Sequence, residues 1–259
     1  GTSLYADNVQ PVWIEVDNQS DSPYILLVAG VDRHGYSPLE ASYQRHSGSK
    51  ETKLEMDKFF HSMRFKNPVG GGQVASGFIF TNRDEGAKAV NVDLLGNNEL
   101  KSLSFVIKVD GLLTDSSRVD FEGLYPEFIE IEDEDSLREV LSSFPCCTRN
   151  KKGNKNGDPL NVVFIGNYVD VFSALIRSGW HQTEVTYGAS AWKTTKSFLF
   201  GTSYRYSPIS PLYVFGRQQD VGLQKARKSI HLRNHMRVWL TEYKYQDRHI
   251  FLGQISRDI

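Results

Sequence analysis

The chain has 259 residues, 39% of them apolar and 24% charged, with a formal net charge of −1. These values exclude disordered, collagen-like and coiled-coil chains, and they leave no basic excess of the kind that binds nucleic acid through counterion release. The longest apolar run, about Tyr24 to Val31, falls far short of the roughly 20 residues that cross a bilayer, so the chain reads as soluble with no transmembrane segment.

Length argues for two domains. The first, residues 1–121, reads as a β-sandwich-like all-β domain, because its apolar residues alternate with the period of two that a half-buried strand requires. Val12, Ile14 and Val16 make one such face. Val90, Val92 and Leu94 make another, and beyond Gly96-Asn97-Asn98 come Leu103, Phe105, Ile107 and Val109. The asparagines tolerate positive φ, so Ala89 to Val109 is expected to be a hairpin. Between these strands, Ser37-Pro38 with Glu40 at the third helical position predicts one or two helical turns over Ser37 to Tyr43.

Composition shifts from Glu122 to Glu139, where eight acids stand against Arg138 alone, and shifts back in the basic, Gly/Asn-rich stretch Arg149 to Lys155. The second domain, residues 122–259, is expected to open here. Asp133 to Ser143 reads as a short helix with acids at its positive end. Leu160 to Ile165 reads as a strand buried on both faces, followed by an amphipathic helix from Tyr168 to Ser178 that Gly179 ends. Further strands are expected at Phe198–Tyr206, Leu212–Phe215, Met236–Tyr243 and His249–Ser256. The overall class is therefore α+β, an all-β sandwich followed by a mixed α+β domain.

The polar residues of interest fall between Arg217 and Arg237, where six Lys/Arg residues accompany His231, His235 and a single acid, Asp220. Arg217, Lys225, Arg227, Arg233 and Arg237 are the candidate anion-binding residues, since guanidinium forks match phosphate and carboxylate. A hairpin turning at Gln246-Asp247 would set Trp239 opposite Gln254, Arg237 opposite Ser256 and His235 opposite Asp258. One face of the sheet would then carry His235, Asp258, Arg237 and Ser256, the elements of a weak hydrolytic constellation, while Met236, Val238, Leu240 and Ile255 face the core. His231 and His235 would chelate a metal only on a helix. A strand separates them, so no metal and no cofactor are assigned. Cys146 and Cys147, being adjacent, exclude a disulfide framework and an all-thiolate zinc site, and are read as loop or buried thiols.

Several stretches together are similar to one known family. Asp158-Pro159-Leu160-Asn161-Val162-Val163-Phe164-Ile165-Gly166, Ser178-Gly179-Trp180, Tyr204-Arg205-Tyr206-Ser207-Pro208, Phe215-Gly216-Arg217-Gln218-Gln219-Asp220, Arg233-Asn234-His235-Met236-Arg237-Val238-Trp239-Leu240 and Gln254-Ile255-Ser256-Arg257-Asp258-Ile259 resemble the LssY-type C-terminal domain from about Pro145 onward. The resemblance implies a bacterial protein of the cell envelope, since such domains sit behind membrane-embedded lipid-phosphatase-like or DedA-like regions in some relatives. It identifies a family and not a reaction. The expected function is an envelope-associated binding or scaffolding protein with a protein or envelope partner, a homo-oligomer included, and no nucleic acid. The alternative is a hydrolase acting on a phosphate- or carboxylate-bearing envelope substrate.

Overall fold

The computed structural model describes residues 4, 6–110, 112–185, 206–226 and 233–257. Their contacts divide the chain into two compact units, Gly1–Val109 and Asp110–Ile259. Both are β-rich with interspersed helices, an α+β protein dominated by β. The turn Asp115–Arg118, which the composition-based boundary at 121/122 assigns to the first domain, falls in the second unit.

In the first unit, β1 (Val9–Asn18) pairs antiparallel with β3 (Gln73–Asn82), and β4 (Gly86–Gly96) is flanked by β2 (Ile25–Leu26) and β5 (Glu99–Val109). Val12, Ile14 and Val16 point inward as their alternation predicts. They join Leu26, Ile79, Val90 and Val92 in one core that draws on both sheets. The β4–β5 turn is made by Asn97 and Asn98, both at positive φ, the left-handed pair that a two-residue hairpin loop needs.

Helices interrupt this β structure at α1 (Val28–Val31), α2 (Pro38–Tyr43) and α3 (Lys50–Met63). In α2 the Ser37 side chain accepts from the Glu40 N–H while the Glu40 carboxylate accepts from the Ser37 N–H, so the capping box forms. The longer α3 corrects the all-β reading of this region. It is capped by Ser49 and buries only Phe60, which stacks on Phe80 of β3, so its apolar stripe is too narrow to stand out in the sequence.

The second unit is built on a sheet in the order β10 (His181–Gln182), β13 (Val221–Ala226), β14 (Arg233–Tyr245), β15 (Arg248–Arg257) and β9 (Val162–Ile165). The short β6 (Ile129–Ile131) runs parallel to the end of β14. Among the described residues β9 pairs only with β15, and Val163 and Ile165 are exposed, so this strand lies at the edge of the described sheet and is not buried on both faces.

Helix α4 (Glu134–Ser143) starts where predicted, with Asp133 accepting from the Ser136 N–H, and α5 (Tyr168–Arg177) ends before Gly179 at φ 85°. A smaller sheet holds β12 (Arg217–Gln218), β11 (Tyr213–Val214), β7 (Cys147–Arg149) and β8 (Asn156–Pro159) in that order. The strand expected at Phe198–Tyr206 falls, apart from Tyr206, outside the described residues.

Candidate functional site

The β14–β15 hairpin turns at Gln246-Asp247, both at positive φ, and close to the turn its register is the predicted one, with Tyr245 opposite Arg248 and Lys244 opposite His249. Between Leu240 and Lys244 the ladder shifts, because β14 spends four residues where β15 spends two. Thr241 holds this bulge: its hydroxyl donates to the Ile250 carbonyl (2.8 Å) and accepts from the Tyr243 N–H (3.2 Å).

The shift corrects every pairing beyond it. Arg237 faces Gln254 and not Ser256, His235 faces Ser256 and not Asp258, and Trp239 faces Leu252 and not Gln254. A slip of two residues preserves the side of the sheet, so Arg233, His235 and Arg237 still share one face. Arg227, His231 and Asp258 lie outside the described residues.

That face is half-buried at Arg233 and His235 and closes over from Arg237 onward. β14 is paired on both edges, and Met236, Arg237, Val238, Trp239, Leu240 and Thr241 are all buried. Arg237 is 6% exposed. It donates from Nη1 to Gln254 Oε1 (2.8 Å) and from Nε and Nη2 to the Ser210 carbonyl (3.0 and 2.9 Å). Gln254 in turn donates to the Asp158 carboxylate (3.1 Å).

The other cationic candidates are held in the same way. Arg233 donates to Gln224 Oε1 (3.1 Å), and Lys225 to the Ser178 carbonyl (2.6 Å). Arg217 forms a forked pair with Asp220 (2.9 and 3.0 Å), donates to Tyr125 Oη (2.9 Å) and reaches the Leu240 carbonyl (2.6 Å). Asp220 also accepts from the Leu240 N–H (2.7 Å), so this pair ties β12 to the residue where the bulge begins. Burial opposes the Arg217 charge, but Asp220 and Tyr125 outweigh it and raise its pKa.

A cleft of about 410 Å³ opens beside this pair, lined by Asp115, Arg118, Val119, Leu124, Gln218 and Gln219 among others. Asp115 accepts from the Gln218 amide (3.2 Å) and the Gln219 amide (3.1 Å). Gly222, opposite Arg237, lets this carboxylate approach the sheet: a Cβ there would stand 2.8 Å from Asp115 Oδ2 and 2.5 Å from Thr183 Oγ1. Burial pushes the Asp115 pKa up, against the Gln219 hydrogen bond and the attraction of Arg118 and Arg237, and Asp220 adds to the rise. Among the described residues the Thr183 hydroxyl beside it has no hydrogen-bond partner.

Sequence reading misses Asp115, Tyr125 and Thr183 because no motif surrounds them. The polar run Arg217-Gln218-Gln219-Asp220 is their one legible trace. Among the described residues no three His, Cys, Asp or Glu side chains form a cation cluster. Cys146 and Cys147 are joined in a vicinal disulfide, which corrects their reading as thiols.

Residues 138–259 match the model of the family described as LssY C-terminus, which thus covers the C-terminal part of the chain and leaves the preceding β-rich residues outside. No curated protein and no solved structure matches the chain. Among the described residues no helix is long and apolar enough to cross a membrane.

Proposed function

We propose that the LssY-type unit is a binding or scaffolding module of the bacterial envelope, and that its Arg217–Arg237 segment is an internal strut and not the binding surface. One observation carries this reading: Arg217, Lys225, Arg233 and Arg237 each donate to acceptors within the unit. A guanidinium so engaged has to give up those bonds before it can hold a ligand, and each buried acceptor left behind costs about 1–3 kcal/mol. The envelope setting is carried over from what the resemblance implies, and the partner proposed with it is a protein or another envelope component, a second copy of the chain included.

The test is Arg237→Ala in the full chain, read by urea denaturation and by titration with inorganic phosphate. A large loss of stability with unchanged phosphate affinity is the expected result. Unchanged stability with lost affinity would overturn it.

The hydrolase reading has one point in its favour, since His235 and Ser256 face one another across the ladder. Turnover of p-nitrophenyl phosphate or p-nitrophenyl acetate that disappears in Ser256→Ala would promote it.

A further inference from the structure

We infer that the groove between the β7–β8 and β11–β12 turns is a site for a phosphate-type oxyanion. The inference rests on the reading of this unit as a binding module and gives that reading a ligand chemistry. The stretch from Arg149 to Lys155 carries Arg149, Lys151, Lys152 and Lys155 with no acid among them, and all four are exposed.

The turn that carries these side chains is built without using the three lysine ammonium groups. Asn150 Oδ1 accepts from the N–H groups of Asn154 (3.1 Å) and Lys155 (3.3 Å), Asn150 Nδ2 donates to Asn154 Oδ1 (2.9 Å), and Arg149 donates to the Gly153 carbonyl (2.9 Å). Among the described residues, the side chains of Lys151, Lys152 and Lys155 have no hydrogen-bond or ion-pair partner. This is the reverse of Arg217 and Arg237, whose donors are already committed.

The groove itself holds about 110 Å³, the scale of a compact anion, and Arg149, Lys151, Cys147, Tyr213 and Phe215 are among the side chains that line it. Phe215 is the unusual member. It takes φ 52° in a two-residue turn with Gly216, a position that Asn or Gly fills without strain, and it remains 41% exposed. Its ring meets Phe144 edge-on and lies under Arg217, which fixes it as a wall of the groove. A strained aromatic lining the groove together with the uncommitted Lys151 points to a use outside folding. With Nη1 on the Gly153 carbonyl, Arg149 still offers Nε and Nη2 beside the Lys151 ammonium, and an anion that meets both needs several oxygens in a compact volume, which phosphate offers and a chloride ion does not.

The experiment titrates the full chain with inorganic phosphate by calorimetry, and separately with vesicles of phosphatidylglycerol or of phosphatidylcholine by co-sedimentation. Lys151→Glu/Lys152→Glu is compared with wild type, and Lys108→Glu, on β5 of the other unit, serves as a charge control. Binding of free phosphate, or of the anionic vesicles alone, that weakens at least tenfold in the double variant and is unchanged in the control supports the site, and the arm that responds tells free phosphate from a lipid headgroup. A wild-type chain that binds neither probe, or a double variant that binds as wild type does, overturns it. An Arg237→Ala protein of unaltered stability overturns the strut reading and leaves the groove titration to be read by itself.

Discussion

Both units have apolar cores, and they differ in the polar side chains buried beside them. In the first, the core is drawn from Val, Ile, Leu and Phe side chains, and its outer strand β5 leaves Leu103, Phe105 and Ile107 exposed although their partners Val92, Val90 and Lys88 are buried. In the second, the central strand β14 buries Arg237 beside Trp239, while Asp220, Gln224 and Gln254 are buried in the strands and turns around it. Apolar packing tolerates a change that keeps volume. A buried hydrogen-bond network does not, because each donor removed leaves an acceptor with neither water nor partner. The contrast marks where substitution is costly and where it is free.

The largest expected effect is at Trp239, wholly buried at the centre of the second unit. Trp239→Ala should cost about 3–5 kcal/mol by urea denaturation, whereas Phe105→Ala on β5 should cost less than about 0.5 kcal/mol. Equal losses at the two would erase the distinction. Asp220→Ala comes next, at about 3 kcal/mol, because it strips the partner from a largely buried guanidinium and from the Leu240 N–H together. A value near zero would show that water replaces the carboxylate and that the bulge does not need it.

Two titrations sharpen the comparison with smaller effects of opposite sign. His249, packed edge-on against Phe128, has its pKa lowered by burial and then by Lys244, against the pull of Asp247. The unfolded chain therefore binds a proton that the folded chain resists, and stability falls as pH drops below the ordinary histidine value of 6.5. Melting curves of His249→Leu should lack that portion of the acid slope.

Asp115 runs the other way. Its pKa is raised, so the folded chain holds the proton more tightly, and stability falls as pH rises from the ordinary value of 3.8 through the raised folded value. Asp115→Asn should remove that decline and be at least as stable as wild type at neutral pH. A variant that melts lower at neutral pH would show that Asp115 works there as a carboxylate.

What was legible in the chain was whatever depends on local geometry. The two-residue period of β1, the asparagine turn at 97–98, the capping box of Ser37 and Glu40, and the turn at Gln246-Asp247 are each set within a few residues by backbone sterics and neighbouring hydrogen bonds. These were enough to place Arg233, His235 and Arg237 on one face. Helix α3 escaped because it buries a single residue, and an amphipathic signal needs a broader stripe.

The fate of the arginines was decided only in three dimensions. The shift at Thr241 depends on a carbonyl from the opposite strand, and that one irregularity moves Arg237 from Ser256 to Gln254. Whether a polar face is wet or dry depends on what lies over it: Asp115 reaches Gln219 across 104 residues, and Tyr125 reaches Leu240 across 115. Periodicity names the residues that share a side of a strand. Burial, and with it the difference between a strut and a binding site, belongs to contacts that chain folding alone brings together.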